Sequence, residues 1–391
     1  MTVPSQPLVQ RLRPFTSTIF AEMSALAVAT GAINLGQGFP DTDGPAAMLA
    51  AAQQAIADGV NQYPPGPGIP ELRRAIAESR RADYGQDFEP DTEVLVTVGA
   101  TEAIASAILG LVEPADEVIA LEPFYDSYPA VIAMAGARLV PVQLRQDSTG
   151  RFTLDADELA AAVTDRSRLI LLNTPHNPTG TVLSRAELES VAALAISRNL
   201  LVVTDEVYEH LTFDGAAHLP IGTLPGMAER TLSISSAGKS FNVTGWKIGW
   251  ACGPAALVAA TRAAKQFLTF VGGAPFQPAV ALALRTEQAW VGELRNGLQA
   301  KRNRLCDGLS AAGFEVVKPQ GTYFVVADIR PLGSTDGMAF CRQLPSRCGV
   351  VAVPQQVFYA DPAAGAHYVR FAFCKRDEVI DQAVDRLSGM H

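Results

Sequence analysis

Short runs of aliphatic and β-branched residues punctuate the chain, each closed by turn-forming residues. Val94–Val98, Glu117–Leu121, Leu169–Leu172 and Leu201–Thr204 are of this kind. Between them apolar positions recur at helical spacing, over Thr101–Val112, Asp155–Val163 and Arg185–Ser197. Strands that are apolar throughout and alternate with helices predict a mostly parallel sheet covered by helices on both faces. Thr231–Ser235 and Ile248–Cys252 predict two further strands. From Phe276 to Leu309 the pattern reads as one long Ala/Leu-rich helical stretch. Strands at Tyr323–Ala327, Val350–Val353 and Val369–Phe373 follow, with helices at Gly337–Leu344 and Glu378–Leu387. The expected architecture is α/β: a large domain over 45–285, and a smaller α+β domain built from 1–44 and 286–391.

Composition narrows the function classes. The 391 residues carry 31 Lys+Arg against 40 Asp+Glu, a net charge of −9, which argues against a broad nucleic-acid or anionic-membrane surface. The five cysteines form no CxxC pair, and the five histidines show no zinc-ligand spacing, so a reduced, cytoplasmic, metal-free protein is expected. The N-terminus lacks the apolar core of a secretory signal. The uncharged run Gln266–Leu284 has the length of a membrane span, but Gly272, Gly273, Pro275 and Pro278 break it. It reads as a helix end, a buried loop and a new helix start. Lysine is scarce, at Lys239, Lys247, Lys265, Lys301, Lys318 and Lys375 only. Two of these fall in one Gly/Ser-rich segment, and the other four are expected at the surface.

In open α/β sheets ligands bind beyond the carboxyl ends of the strands, so the residues after each strand are the candidates. Gly99-Ala100-Thr101-Glu102 is a small-residue turn opening a helix, a shape that offers N–H groups to a phosphate; an ordinary turn capped by Thr101 is the plainer reading. Asn173–Gly180, with its two prolines, predicts a rigid polar loop. Asp205 ends a buried strand and needs a cationic partner, which a basic ring nitrogen, a metal or an arginine can supply. Lys239 follows Ser-Ser-Ala-Gly, with Lys247 eight residues on. A lysine among apolar residues near another cation has a lowered pKa and becomes a nucleophile. The rival reading of Gly238-Lys239-Ser240 as a P-loop tail fails, because Ser233 stands where that motif needs glycine.

Taken together, NLGQGFPD (Asn34–Asp41), NQYPPGPG (Asn61–Gly68), VGATEA, EPFYDSY (Glu122–Tyr128), NTPHNPTG, DEVYE, SSAGKSFNVTGWKIGW and VRFAFCK (Val369–Lys375) resemble the class I aminotransferases of fold type I. The resemblance runs over nearly the whole chain. It lies nearest the group holding kynurenine, glutamine and methionine aminotransferases and the bacterial N-succinyldiaminopimelate aminotransferases. It implies pyridoxal 5′-phosphate as cofactor and Lys239 as the Schiff-base lysine. It also implies Asp205 on the ring nitrogen, Asn177 and Tyr208 on the ring oxygen, and Tyr125 stacked on the ring. The phosphate falls to Ala100, Thr101, Ser236 and Lys247, with Tyr63 reaching the site of a neighbouring subunit in a homodimer. Many relatives carry arginine where Lys247 stands; lysine keeps the charge without the bidentate fork. Arg370, Asn177 and the backbone at Gly38 are implied for the substrate carboxylate.

The implied reaction moves an amino group from L-glutamate to a 2-oxo acid, N-succinyl-2-amino-6-oxopimelate, with Phe267–Phe276 a candidate lining for its distal part. The alternative enzyme is a broad kynurenine/glutamine/methionine aminotransferase with β-lyase activity on cysteine conjugates. A non-catalytic cofactor-binding regulatory module is the alternative of another class. His176, Asp41 and Asp43 receive no role, and His176 reads as a plain loop residue.

Overall fold

The computed structural model describes residues 8–16 and 18–390. Residues 1–7 and Ser17, which the sequence reading assigns to the small domain, lie outside the described residues.

Seven strands form the main sheet: β1 (Val94–Val98), β2 (Glu117–Glu122), β3 (Arg138–Gln143), β4 (Ser167–Asn173), β5 (Leu201–Asp205), β6 (Thr231–Ser236) and β7 (Ile248–Cys252). Their spatial order is β1-β7-β6-β5-β4-β2-β3. Neighbours from β6 to β3 pair in parallel, and only β7 runs antiparallel to both of its neighbours. Alternate residues of one strand feed opposite faces. Leu169 and Leu171 pack with Ile104, Ala107 and Val258 on one side, while Ile170 and Leu172 pack with Leu188, Val191 and Ala195 on the other. This two-sided burial is why these strands are continuous apolar runs rather than alternating ones.

A second sheet holds β8 (Glu315–Val317), β9 (Phe324–Asp328), β10 (Val353–Pro354) and β11 (Tyr368–Ala372) in the order β8-β9-β11-β10, all antiparallel. Helices Ile19–Thr30, Gln288–Ala311, Gly337–Cys348 and Asp377–Ser388 surround it, and one apolar cluster runs from Met23 through Val325 and Phe371 to Leu387.

Three expectations change. The long helical stretch divides at Glu287 into Phe276–Thr286 and Gln288–Ala311; good helix formers on both sides hide the turn. The strand expected over Val350–Val353 is two short pairings: Val350–Val351 runs parallel to Ile33–Asn34, and Val353–Pro354 joins the second sheet. The loop between helices Ala255–Leu268 and Phe276–Thr286 is not buried in this chain, since Thr269 and Phe270 are exposed and 271–275 half-buried. Solvent can satisfy its backbone there. Among the described residues no helix is long and apolar enough to cross a membrane.

Candidate active site

The carboxyl ends of β4, β5 and β6 meet the start of the helix Gly99–Leu111. Register places Asn173 beside Asp205 and Asp205 beside Ile234. Asp205 is buried, and its carboxylate accepts the Tyr128 hydroxyl at 2.7 Å and the Val207 N–H at 3.3 Å. Burial pushes its pKa up to about 6, against the pull of the Tyr128 bond. Asn173 donates to the Asp205 carbonyl at 2.9 Å and accepts from the Asn177 N–H at 2.7 Å, which ties the Asn173–Gly180 loop to the same strand end.

β6 runs into a single helical turn, Ala237–Ser240, that carries Lys239. Its Nζ donates to the Tyr323 hydroxyl at 2.6 Å. Burial lowers the lysine to about 8; the charges of Lys247 and Arg370 act the same way, and Asp205 opposes them. Only the neutral amine attacks an aldehyde. Capture of pyridoxal phosphate by the cofactor-free protein is therefore expected to speed up about tenfold per pH unit up to about pH 8 and then level off. Stopped-flow absorbance against pH checks this; a rise continuing to about 10.4, the ordinary lysine value, would contradict it.

Val98 precedes the helix Gly99–Leu111 without a side-chain cap, so the first N–H groups are free for an anion. Ala100, Thr101, Ser236 and Lys247 line one cavity of about 230 Å³ together with Tyr125, Asn177, Asp205, Tyr208 and Lys239. Lys247 sits in the left-handed region at φ 54°, and a Cβ placed on Gly99 would lie 3.2 Å from its Nζ. A Cβ on Gly249 would fall 2.6 Å from the Gly99 carbonyl carbon, so β7 closes on this turn only because residue 249 has no side chain. The chamber thus offers free N–H groups and an ammonium at one end, an aromatic wall, and a buried carboxylate at the other. These residues fit pyridoxal phosphate.

Arg370 on β11 is buried beside the cavity. Its guanidinium lies 3.9 Å from the Phe324 ring centroid, and Nη1 donates to Asn177 Oδ1 at 3.0 Å. Nε is buried without a partner, and burial pulls the group down to about 10. A guanidinium held this way has unused capacity for a carboxylate. Gly38 reaches the site through its carbonyl, which accepts from Tyr323 at 2.6 Å.

Of the residues expected to touch cofactor, Tyr63 alone lies apart. It is 81% exposed and lines a different cavity with Val271–Phe276. The Phe267–Phe276 segment accordingly contributes nothing to the main chamber of this chain. Two of the lysines expected at the surface are buried. Lys265 donates to the Phe270 carbonyl, and Lys375 donates to the Phe39 carbonyl at 2.7 Å across the Phe39 ring. Their long stems let the ammonium reach carbonyls left free at turns. Lys301 is half-buried, 3.8 Å from Asp377, and Lys318 is exposed. His176 is buried and bonded to Thr179 at 2.8 Å, with its pKa pushed down to about 3 by burial. Tyr128 and Tyr323 were not singled out from sequence. Tyr128 stood inside the EPFYDSY string, but Tyr323 opens an apolar run that reads as core.

The family model described as Aminotransferase class I and II matches residues 30–387. The chain is 62% identical to the protein named Probable N-succinyldiaminopimelate aminotransferase DapC of Mycobacterium tuberculosis H37Rv, over 97% of this chain and 98% of that one. It is 38% identical to the methionine aminotransferase of Escherichia coli K12, over 98% and 99%. The solved structure of N-succinyldiaminopimelate aminotransferase from Mycobacterium tuberculosis superposes with a TM-score of 0.96, covering 98% of this chain and all of that one at 62% identity.

Proposed function

Because the chain belongs to the class I and II aminotransferases, which depend on pyridoxal phosphate, we propose that it transfers an amino group between L-glutamate and N-succinyl-2-amino-6-oxopimelate. The reading places it in diaminopimelate and lysine formation. The observation that carries it is the 62% identity, over nearly the full length of both chains, to the Mycobacterium tuberculosis protein of that name.

The bound cofactor supplies an electron-accepting ring that makes the hydrogen on the amino acid's α-carbon acidic. This chain's residues do the rest. Asp205 would keep the ring nitrogen protonated, and its bond from Tyr128 fixes the carboxylate's orientation. Asn177 and Tyr208 would donate to the ring oxygen, and Tyr125 would cover a ring face. Ala100, Thr101, Ser236 and Lys247 would hold the phosphate. Arg370 and Asn177 clamp the α-carboxylate near Gly38. Lys239 would hold the cofactor through its amine and, with that amine free, would carry the proton of the substrate's α-carbon.

The proposal extends to a homodimer with shared sites. Tyr63 and Phe270, whose rings lie 5.5 Å apart, expose 81% and 50% of their surface, apolar area that a second copy would cover. It includes a cytoplasmic location, in keeping with five free thiols, and a division into units over 45–285 and over 1–44 with 286–391.

With L-glutamate as donor, kcat/KM for the succinylated oxo acid is expected to exceed that for phenylpyruvate by at least about 100-fold. Phenylpyruvate as the better acceptor, or kynurenine as a donor far better than the succinylated amino acid, would overturn the substrate.

A further inference from the structure

Tyr323 follows Thr322, a buried β-branched residue at φ 68°. Such a residue is rarely left-handed and stays so only where its surroundings over-determine it, often at a functional site. The surroundings here do so. The Thr322 N–H donates to the Leu211 carbonyl at 2.9 Å, and its hydroxyl accepts the Phe324 N–H at 3.2 Å. Gln320 and Gly321 both donate to the Gly180 carbonyl. Wholly buried Arg302 holds the Pro319 carbonyl at 2.9 Å. This turn delivers the buried Tyr323 side chain to the cavity edge, its ring edge-on to Tyr208 at 5.1 Å.

The two hydrogen bonds of the Tyr323 hydroxyl have only one consistent arrangement. The Gly38 carbonyl can only accept, so the phenolic proton goes to it. The phenol oxygen then has only lone pairs to offer Lys239, whose Nζ must donate. Gly38 is itself fixed, since a Cβ there would lie 2.5 Å from Phe324 Cζ, the same ring that faces Arg370.

We propose that Tyr323 is a positioning residue for Lys239: its hydroxyl, with the proton committed to Gly38, parks the displaced amine beside the loop that receives the substrate carboxylate. The proposal rests on Lys239 being the lysine that bonds the cofactor and moves the α-proton.

Tyr323→Phe keeps the ring and removes the anchor. An ammonium donates more strongly than a neutral amine, so losing the acceptor disfavours the charged form. The pH midpoint for pyridoxal phosphate capture by the cofactor-free variant is expected below that of the parent. In transamination kcat falls about 10- to 100-fold as the amine loses its alignment. KM for L-glutamate stays within about twofold, because Arg370 and Asn177 are untouched, and the primary isotope effect with α-deuterated glutamate rises. An unchanged capture midpoint together with an unchanged isotope effect would overturn the proposal, whatever happens to kcat. Borohydride reduction of the parent separates the two levels. Cofactor fixed on a lysine other than Lys239 defeats the underlying reading; cofactor on Lys239 with a parent-like Tyr323→Phe defeats this inference alone.

Discussion

Lys239→Ala is expected to slow the glutamate half-reaction by about 10⁴-fold or more, while the protein still folds and retains pyridoxal phosphate non-covalently. The size of the loss follows from two roles in one side chain. On the proposed roles the variant lacks both the amine that exchanges with the substrate and the base beside the α-carbon, a group that alone is worth about 10²–10⁴-fold. Cofactor retention is expected because the rest of the chamber lining comes from other elements, among them the helix Gly99–Leu111, β5 and the Asn173–Gly180 loop. Single-turnover absorbance after mixing the cofactor-loaded variant with L-glutamate measures the rate. A loss of less than about tenfold would mean that Lys239 is not the reacting lysine.

Arg80→Ala is expected to lower stability by about 3–5 kcal/mol, the range for removing one partner of a buried ion pair. Arg80 is 3% exposed and lies between two buried carboxylates, Glu206 at 2.8 Å and Glu209 at 2.7 Å, with its guanidinium over the Tyr84 ring at 4.6 Å. Glu206 adjoins Asp205 in sequence at the end of β5, and the Nε2 of buried His218 lies 3.5 Å from it. These acids and the histidine are close enough to hold a metal ion, but Arg80 already supplies the counter-charge. Burial alone would raise the Glu206 carboxyl; the charges of Arg80 and His218 outweigh it and hold the pKa below the usual 4.5. A depressed carboxylate contributes stability above its unfolded pKa and loses it as pH falls through the folded one. Without Arg80 burial dominates and the folded pKa rises, so the variant's deficit is greatest at neutral pH and narrows as pH approaches 4.5. Urea midpoints at several pH values check both statements, and adding Glu206→Gln to the variant should restore part of the loss. A deficit under about 1 kcal/mol, or one that grows on acidification, would contradict them.

The central strands were legible because burial on both faces leaves an unbroken apolar run. The edge strand β3 was not: Pro141 interrupts Arg138–Gln143, and proline is tolerated only where a strand has a free edge. The residues that line the chamber stood in the sequence in family order, most of them at or just beyond the end of a strand. What escaped was whatever depends on contacts distant in sequence. Arg80 lies in the polar, arginine-rich helix Pro70–Tyr84, where nothing local separates it from solvated Arg81. Tyr323 meets Lys239 across 84 positions, and Gly38 across 285. Lys265 and Lys375 look like surface charges because the carbonyls they reach belong to turns the pattern does not specify. Tyr63 stands apart from the chamber of this chain.

One measurement tests the central claim most directly. The cofactor-loaded protein is reduced with borohydride, digested, and searched by mass for the lysine that has gained the pyridoxyl group. The account predicts the modification on Lys239 alone, lost when L-glutamate is added before reduction because the substrate amine has displaced the lysine. Modification at Lys247 or any other lysine, or modification at Lys239 that glutamate leaves unchanged, would contradict it.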